Sequence, residues 1–240
     1  MFIQRLNLKP LLLVVSIFSS LAIFNIMALK SYVTDARNVH SNAIKKVSTA
    51  LPLVAITFDD GPDPVITPQV LAILKEKNAK ATFFMLGKHA EAYPELVQQI
   101  HAAGHEIGNH TYSHQRMTRL SQDGLKAELQ HTETILFNIT GENPRLVRPP
   151  DNAYNAKIVA QTQQCGYHFV LWSIDTRDWA NVSPSAILRE TDKAGAGDII
   201  LFHDGVTPSH IVEGLAKTID LLQAKGYRLV TVSELMQGSN

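Results

Sequence analysis

The chain has 240 residues, of which 45% are hydrophobic, and its 22 lysines and arginines equal its 22 aspartates and glutamates in number. This length and apolar content predict one sizeable globular domain, with room for a short appendage. The balanced charge gives no general attraction to nucleic acid, and the single cysteine, Cys165, excludes an intrachain disulfide.

The first thirty residues differ in character from the rest of the chain. Leu11 to Leu29 carries no charged residue and follows Arg5 and Lys9. A helix of that length spans about 28 Å, close to the thickness of a bilayer core. We predict an N-terminal signal anchor over residues 1–30, with a cleaved signal peptide as the alternative. The basic residues predict an exported domain, anchored on the outer face of the cytoplasmic membrane, or secreted or periplasmic if the signal is cleaved.

Residues 31–51 are polar and mixed, and they predict a linker before a domain over residues 52–240. Within that domain, apolar runs of strand length alternate with helical patterns. The strand candidates are residues 53–58, 82–85, 106–109, 146–148, 169–174, 199–203 and 228–232. The helix candidates are residues 68–78, 93–103, 121–138, 155–165, 184–194 and 208–224.

Repeated strand–helix units predict a parallel sheet with helices outside it. About seven units in roughly 190 residues suit a small or incomplete TIM-like barrel, and a doubly wound open sheet is the alternative. In both architectures the loops that follow the strands carry the active site. Five polar motifs follow or end the strand candidates, and they are residues 57–62 (TFDDGP), 110–114 (HTYSH), 148–150 (RPP), 175–179 (DTRDW) and 201–204 (LFHD).

His110 and His114 are four residues apart. On a helical turn, that spacing puts both imidazoles on one face, where they can bind one cation. His101 and His105 have the same spacing, but Gly104 is expected to end a helix between them, so that His105 begins a strand. We therefore predict metal ligands at the second pair and surface or packing residues at the first.

Asp59-Asp60 ends a strand candidate, and two adjacent carboxylates repel each other. A divalent cation would offset this repulsion; the alternative is an ordinary acidic turn, because Asp-Gly-Pro is a turn signal. One aspartate and two histidines leave room for water, as catalytic zinc requires. Beside such a site His203 is a natural general acid, with Asp178 to orient it, whereas a histidine alone in this position is typical of a core. Arg148 is a candidate to pair with Asp59.

With these motifs in this order, residues 52–236 resemble the polysaccharide deacetylases of carbohydrate esterase family 4, which share the NodB-homology domain. The resemblance implies a distorted (β/α)7 barrel, here preceded by the N-terminal helix. It implies a divalent metal, usually zinc, with cobalt, nickel and manganese as alternatives. It also implies hydrolysis of N-acetyl or O-acetyl groups on glycans such as chitin oligomers, peptidoglycan or xylan.

The resemblance also implies roles for ten residues. These are a catalytic base (Asp59), an arginine that orients it (Arg148), three metal ligands (Asp60, His110 and His114), a catalytic acid (His203) with its partner (Asp178), and three residues of the substrate groove (Trp179, Leu201 and Asp151).

The third motif departs from the family pattern, which often has an aromatic residue or glycine where this chain has Asp151. In the family that position supplies a backbone amide to the oxyanion. Asp151 keeps the amide but adds a negative charge to the pocket. The expected partners are an acetylated glycan and, through the N-terminal helix, a membrane. Two other function classes stay open, a non-glycan amidohydrolase of the same fold and a catalytically weak glycan-binding protein.

Overall fold

The structure is a computed structural model that describes residues 43–205 and 210–238. The predicted anchor over residues 1–30, the first part of the predicted linker and the start of the last predicted helix lie outside these residues. In the part of the chain that is described, no helix combines the length and the apolar content that crossing a membrane requires.

The described residues form nine strands, eight α-helices and three short 3₁₀ helices. The strands are β1 (Ala43–Ile44), β2 (Leu53–Asp59), β3 (Ala81–Met85), β4 (Glu106–Asn109), β5 (Leu146–Val147), β6 (His168–Val170), β7 (Ile174–Asp175), β8 (Ile199–His203) and β9 (Arg228–Val230). The helices are α1 (Ile66–Glu76), α2 (Gly87–Ala92), α3 (Pro94–Ala102), α4 (Gln122–Thr140), α5 (Ala156–Gln164), α6 (Pro184–Thr191), α7 (Ile211–Ala224) and α8 (Val232–Gln237).

The strands form one curled parallel sheet in the order β1-β6-β5-β4-β3-β2-β8-β7, and β9 pairs with the first half of β2. Strands β2 to β6 are adjacent in chain order, as in a barrel, whereas a doubly wound sheet reverses its order at a switch point. The architecture is therefore a parallel half-barrel of the α/β class, consistent with the predicted (β/α)7 barrel.

The central strand β2 is buried along its whole length, and its side chains alternate between two apolar layers. Val54, Ile56 and Phe58 pack with helices α1 and α7 in the outer layer, whereas Leu53 and Ala55 belong to the inner layer. A strand that is buried on both faces needs apolar residues at successive positions, which explains the continuous apolar run in the sequence. The same alternation directs the side chains of the strand's last odd-numbered residues toward the sheet interior.

The chain joins the sheet earlier than the sequence predicts. Ala43 and Ile44 form β1, which pairs with β6, and Val47 packs in the inner apolar layer. Lys46 Nζ lies 2.7 Å from Asp198 Oδ1. Residues 43–51 are thus part of the domain and not of the predicted linker. Their apolar residues are too few to show a strand period, so the sequence pattern did not reveal β1.

Two other predicted strands differ from the structure by more than one residue. The run over residues 169–174 is divided into β6 and β7, and β7 lies at the other edge of the sheet beside β8. The strand predicted over residues 228–232 ends at Val230, because Thr231 is the N-cap of α8. The Thr231 side chain accepts from the Glu234 amide, and the Glu234 side chain accepts from the Thr231 amide. This capping box is a helix-start signal that the sequence contains.

Candidate active site

Three potential metal ligands converge beyond the carboxyl ends of strands β2 and β4. The Nε2 atoms of His110 and His114 lie 3.4 and 3.1 Å from Asp60 Oδ1, and the three ligand atoms lie within 4.8 Å of one another. Asp60 Oδ1 is buried and accepts no hydrogen bond from any residue that the structure describes. A divalent cation fits this donor set, because it would give the buried oxygen a partner and match the ligand types that zinc prefers.

The two histidines reach one site by a different route from the predicted helical turn. Residues 110–114 are irregular, and Thr111 and His114 have φ angles of 68° and 65°. His110 Nδ1 donates a hydrogen bond to the carbonyl oxygen of Arg148 at 2.8 Å, which leaves Nε2 as the atom that faces Asp60. The prediction of a helical turn is wrong, but the two rings still lie with their centroids 5.2 Å apart.

The charges of this cluster favour a bound cation. Burial alone would raise the pKa of Asp60, but the imidazoles of His110 and His114 lower it far below its usual range. The Asp60 carboxylate is therefore charged at neutral pH. Burial would lower the pKa of His110, and the nearby carboxylates of Asp59 and Asp60 raise it instead. The raised pKa means that the His110 ring takes up a second proton more readily, and a cation that binds Nε2 must displace that proton. The affinity of the cluster for a cation should therefore rise with pH.

Asp59 points into the sheet interior, on the same face of β2 as Thr57. Arg148 Nη1 donates to Asp59 Oδ1 at 2.7 Å and to Thr57 Oγ1 at 2.8 Å. The guanidinium is fully buried and lies 4.0 Å from the centroid of the Phe84 ring. The other carboxylate oxygen, Asp59 Oδ2, lies 3.9 Å from His110 Nε2, on the side of the ligand cluster. The predicted pair of Asp59 and Arg148 is therefore in contact, with one oxygen fixed by the arginine and the other facing the cluster.

His203 ends strand β8, and its ring contacts Asp178. The Asp178 carboxylate accepts from His203 Nδ1 at 2.8 Å and from the His203 backbone amide at 2.7 Å. Burial would lower the pKa of His203, but the hydrogen bond and charge of Asp178, with the charges of Asp59 and Asp60, raise it to about 9. His203 is therefore an imidazolium at neutral pH and can donate a proton through Nε2.

One cleft of about 480 Å³ is lined by the ligand cluster, Asp59, His203 and the three predicted groove residues. Trp179 is 54% exposed, whereas Leu201 is buried. Asp151 has a φ of 55°, and its Oδ2 accepts from Arg116 Nε at 2.7 Å. The negative charge expected from Asp151 is thus balanced by Arg116. No local sequence pattern predicts this pair, because it joins two loops that are 35 residues apart.

Comparison with known proteins identifies the family of the chain. The profile of the family described as polysaccharide deacetylase matches residues 46–170. A peptidoglycan-N-acetylglucosamine deacetylase of Bacillus cereus (strain ATCC 14579) is 43% identical over 189 residues, which are 77% of this chain and 88% of the relative. The chain belongs to the polysaccharide deacetylase family.

Two further relatives support the assignment of this polysaccharide deacetylase. A chitooligosaccharide deacetylase of Azorhizobium caulinodans is 35% identical and covers 73% of this chain and 90% of the relative. A crystal structure of a peptidoglycan N-acetylglucosamine deacetylase in complex with 4-naphthalen-1-yl-N-oxidanyl-benzamide superposes with a TM-score of 0.79. It has 36% identity and covers 82% of this chain and 94% of that chain. The protein is therefore a hydrolase of the glycan-deacetylating class.

Two residues of this deacetylase contact the segments that carry the candidate ligands, although the sequence analysis does not identify them. His89 lies 2.7 Å from the carbonyl oxygen of Asp60 through its Nδ1 atom. Glu128 accepts hydrogen bonds from the backbone between His110 and His114. Neither lies in a strand-end motif, and each meets its partner through the fold and not through sequence spacing. A local pattern therefore had no means of identifying them.

Proposed function

We propose that the protein is a metal-dependent deacetylase that removes N-acetyl groups from a glycan of the cell envelope, with peptidoglycan or chitooligosaccharide as the substrate class. The observation that carries the proposal is the meeting of three groups in one cleft. These are the Asp60, His110 and His114 cluster, the Asp59 carboxylate and the protonated His203. The relatives named for peptidoglycan and chitooligosaccharide support the glycan class.

Asp60, His110 and His114 would hold the metal. Zinc is the expected ion, and cobalt, nickel and manganese are alternatives, because two imidazoles and one carboxylate suit all of them. The chemistry that the ion supplies when bound is polarisation of the acetyl carbonyl and a lowered pKa for water in the cleft.

Asp59 and His203 perform the two proton transfers. Asp59 takes a proton from the attacking water through Oδ2, the oxygen on the side of the ligand cluster, while Arg148 holds Oδ1. A bond forms between the water oxygen and the acetyl carbon. The carbon–nitrogen bond then breaks as His203 delivers its proton to the leaving amine. Because an amine anion is a poor leaving group, an amide substrate depends on this acid more than an ester does.

The remaining groove residues position the substrate. The Asp151 backbone amide donates to the developing oxyanion, and the half-exposed indole of Trp179 stacks against a sugar ring. Leu201 is buried at the floor of the cleft and packs against the acetyl methyl group.

We also propose that the domain is exported and held on the outer face of the cytoplasmic membrane by residues 1–30. The support is the uncharged run from Leu11 to Leu29 after Arg5 and Lys9. Cleavage of the signal would give a secreted or periplasmic enzyme with the same catalytic domain.

Acetate release tests the proposed reaction. The panel contains N-acetylchitooligosaccharides, peptidoglycan, O-acetylated xylan and a small acetylated polyamine, each with added Zn²⁺ and with a chelator. We expect acetate from at least one N-acetylated glycan, loss of this activity with chelator and recovery with Zn²⁺. Asp59→Asn and His203→Ala should each lower kcat by about 100-fold or more.

The same panel identifies the two competing functions. Acetate release from the polyamine alone would identify a non-glycan amidohydrolase. Glycan binding without acetate release would identify a glycan-binding protein. Near wild-type acetate release by both variants would contradict the assigned roles of the base and the acid.

A further inference from the structure

The short helix α2 contacts both parts of the ligand cluster. Its first two backbone amides donate to the carbonyl oxygens of Thr111 and Tyr112, at 2.9 and 3.1 Å, in the segment 110–114, which we call the histidine loop. Its His89 donates from Nδ1 to the carbonyl oxygen of Asp60 at 2.7 Å. One helical turn therefore bonds to the backbone of the histidine loop and to the backbone of the aspartate ligand.

Glu128, on α4, holds the other side of the histidine loop. Its Oε2 accepts from the amides of Tyr112 and Ser113 at 2.9 and 2.8 Å, and its Oε1 accepts from Ser113 Oγ at 2.8 Å. Hydrogen bonds to a charged carboxylate are stronger than those between neutral groups. Because α2 binds the carbonyl side and Glu128 binds the amide side, the loop is fixed from two directions.

Both ligand segments have backbone conformations that L-amino acids seldom adopt. Asp60 has a φ of 73°, and the histidine loop has two left-handed residues, Thr111 and His114. Each such residue is unfavourable by itself and persists where its surroundings determine it. A segment released from its contacts would relax, and the ligand atoms would no longer converge.

Tight packing supports this scaffold. A Cβ atom at Gly87, the first residue of α2, would lie 2.5 Å from Thr132 Oγ1 and 2.7 Å from Tyr112 Cδ2. Helix α2 is therefore pressed directly against α4 and the histidine loop, which leaves the loop little freedom to move away from Asp60.

We propose that His89 and Glu128 are positioning residues of the metal site. His89 fixes the Asp60 turn, and Glu128 fixes the histidine loop, so that the three ligand atoms are arranged before the ion arrives. The inference rests on the proposed metal-dependent function and names what sets the affinity of that site.

Zn²⁺ affinity of the full chain, measured by competition with a chromophoric chelator, tests this inference. Glu128→Ala and His89→Ala should each weaken Zn²⁺ binding by about 10- to 100-fold, the range typical of residues that orient metal ligands. Far-UV circular dichroism and cooperative unfolding should be retained. Glu128→Gln keeps an acceptor and His89→Asn keeps a donor, so both should recover most of the affinity. The visible spectrum of the Co²⁺ form should change in the alanine variants.

Glu106 provides the matched control. Like Glu128, it accepts from a hydroxyl and from a backbone amide, those of Thr82 at 2.8 Å and Ser233 at 3.1 Å, but it lies at the start of β4, at the opposite end of that strand from the histidine loop. Glu106→Ala should lower the melting temperature and leave Zn²⁺ affinity within about twofold of the wild type, because it shares no hydrogen-bond partner with the histidine loop.

Zn²⁺ affinities of folded Glu128→Ala and His89→Ala within twofold of the wild type would overturn the inference. If Glu128→Ala does not fold, unchanged affinity in His89→Ala overturns it. Acetate release distinguishes this failure from that of the proposed function. A wild-type chain that binds Zn²⁺ but deacetylates no glycan refutes the function and leaves the positioning roles intact. Normal Zn²⁺ affinity in the alanine variants of an active enzyme refutes the positioning roles alone.

Discussion

Two histidine pairs with the same spacing lie at opposite ends of strand β4. His105, of the pair with His101, directly precedes the strand, and His110, of the pair with His114, directly follows it. In a parallel barrel the carboxyl ends of the strands share one rim, where polar residues from several strands can meet. The two pairs have the same four-residue spacing. They differ in position, because only the pair of His110 and His114 lies at the carboxyl end of the strand.

The two pairs also differ in how the rings are oriented. His105 Nδ1 accepts a hydrogen bond from the Ala81 amide at 3.3 Å, and burial, with the charge of Lys80, lowers the pKa of His105 to about 4. His110 Nδ1 instead donates to the Arg148 carbonyl oxygen. A ring whose Nδ1 carries the proton presents the lone pair of Nε2, which is the atom that a metal needs.

Loss of a ligand histidine is expected to have the largest effect of any change in the two pairs. His110→Ala or His114→Ala should weaken Zn²⁺ binding by more than about 100-fold, beyond the range for residues that only orient ligands. Isothermal titration calorimetry with a folded variant, checked by circular dichroism, measures this change. Tight Zn²⁺ binding by either variant would remove the distinction between the pairs.

The pKa of His203, the third histidine at this rim, should determine how the rate of deacetylation depends on pH. Its imidazolium loses its proton as pH rises through about 9, so kcat/KM for an N-acetylated glycan should fall above that pH. Asp178→Asn removes the charge that raises this pKa, and the fall should then begin at lower pH, with a loss of at least about tenfold at pH 8. Rate profiles from pH 6 to 10 measure the shift, and superimposable alkaline limbs would contradict it.

The structural histidine His105 should affect stability and not metal affinity. Its pKa is about 4 when folded and 6.5 in the reference state, so the unfolded chain binds more protons between these values. The contribution of His105 to stability therefore falls as pH falls from 6.5 to 4, by up to about 3 kcal/mol.

His105→Asn keeps an acceptor for the Ala81 amide and removes this titration. Urea unfolding at pH 7 and at pH 4.5 should show a smaller loss of stability on acidification for the variant than for the wild type. Equal losses would show that His105 is not protonated on unfolding.

His101 should give the smallest response. Its Nε2 lies 3.5 Å from a Glu142 carboxylate oxygen, and that glutamate side chain is 76% exposed. Exposed ion pairs contribute about 0–1 kcal/mol, so His101→Ala should change the free energy of unfolding by less than about 0.5 kcal/mol. The Zn²⁺ affinity of the His101→Ala variant should equal that of the wild type. If Zn²⁺ affinity fell in His101→Ala as much as in His114→Ala, position relative to the strand would not distinguish the two histidine pairs.

Elements with a long apolar pattern could be predicted from the sequence. Strand β8 matches its predicted bounds, and β2 and α4 match within two residues. Their burial is continuous or periodic, so local sequence carries the signal. The candidate site residues were also visible, because charged residues at the ends of buried strands are costly and need a reason.

The rest of the site depends on contacts between distant parts of the chain. Helix α2 has the sequence GKHAEA, which shows no apolar face, and it is specified by packing of Gly87 against α4 and Tyr112. The histidine loop also bonds to Glu128 and to α2, which lie elsewhere in the chain. A one-dimensional pattern contains no information on such contacts, which is why a helical turn was predicted there.

The ion pair between Arg116 and Asp151 has a consequence for how the substrate range of this enzyme can change. Its side chains are 47% and 41% exposed and bond to each other, while the histidine loop of the proposed metal site bonds to α2 and Glu128. Surface pairs of this kind add little to folding stability. In the proposed glycan deacetylase, substitutions at positions 116 and 151 would therefore change the sugar contacts at small cost to stability, provided that the residue at 151 accepts the left-handed backbone of Asp151 and that residues 87–89 and 128 are kept.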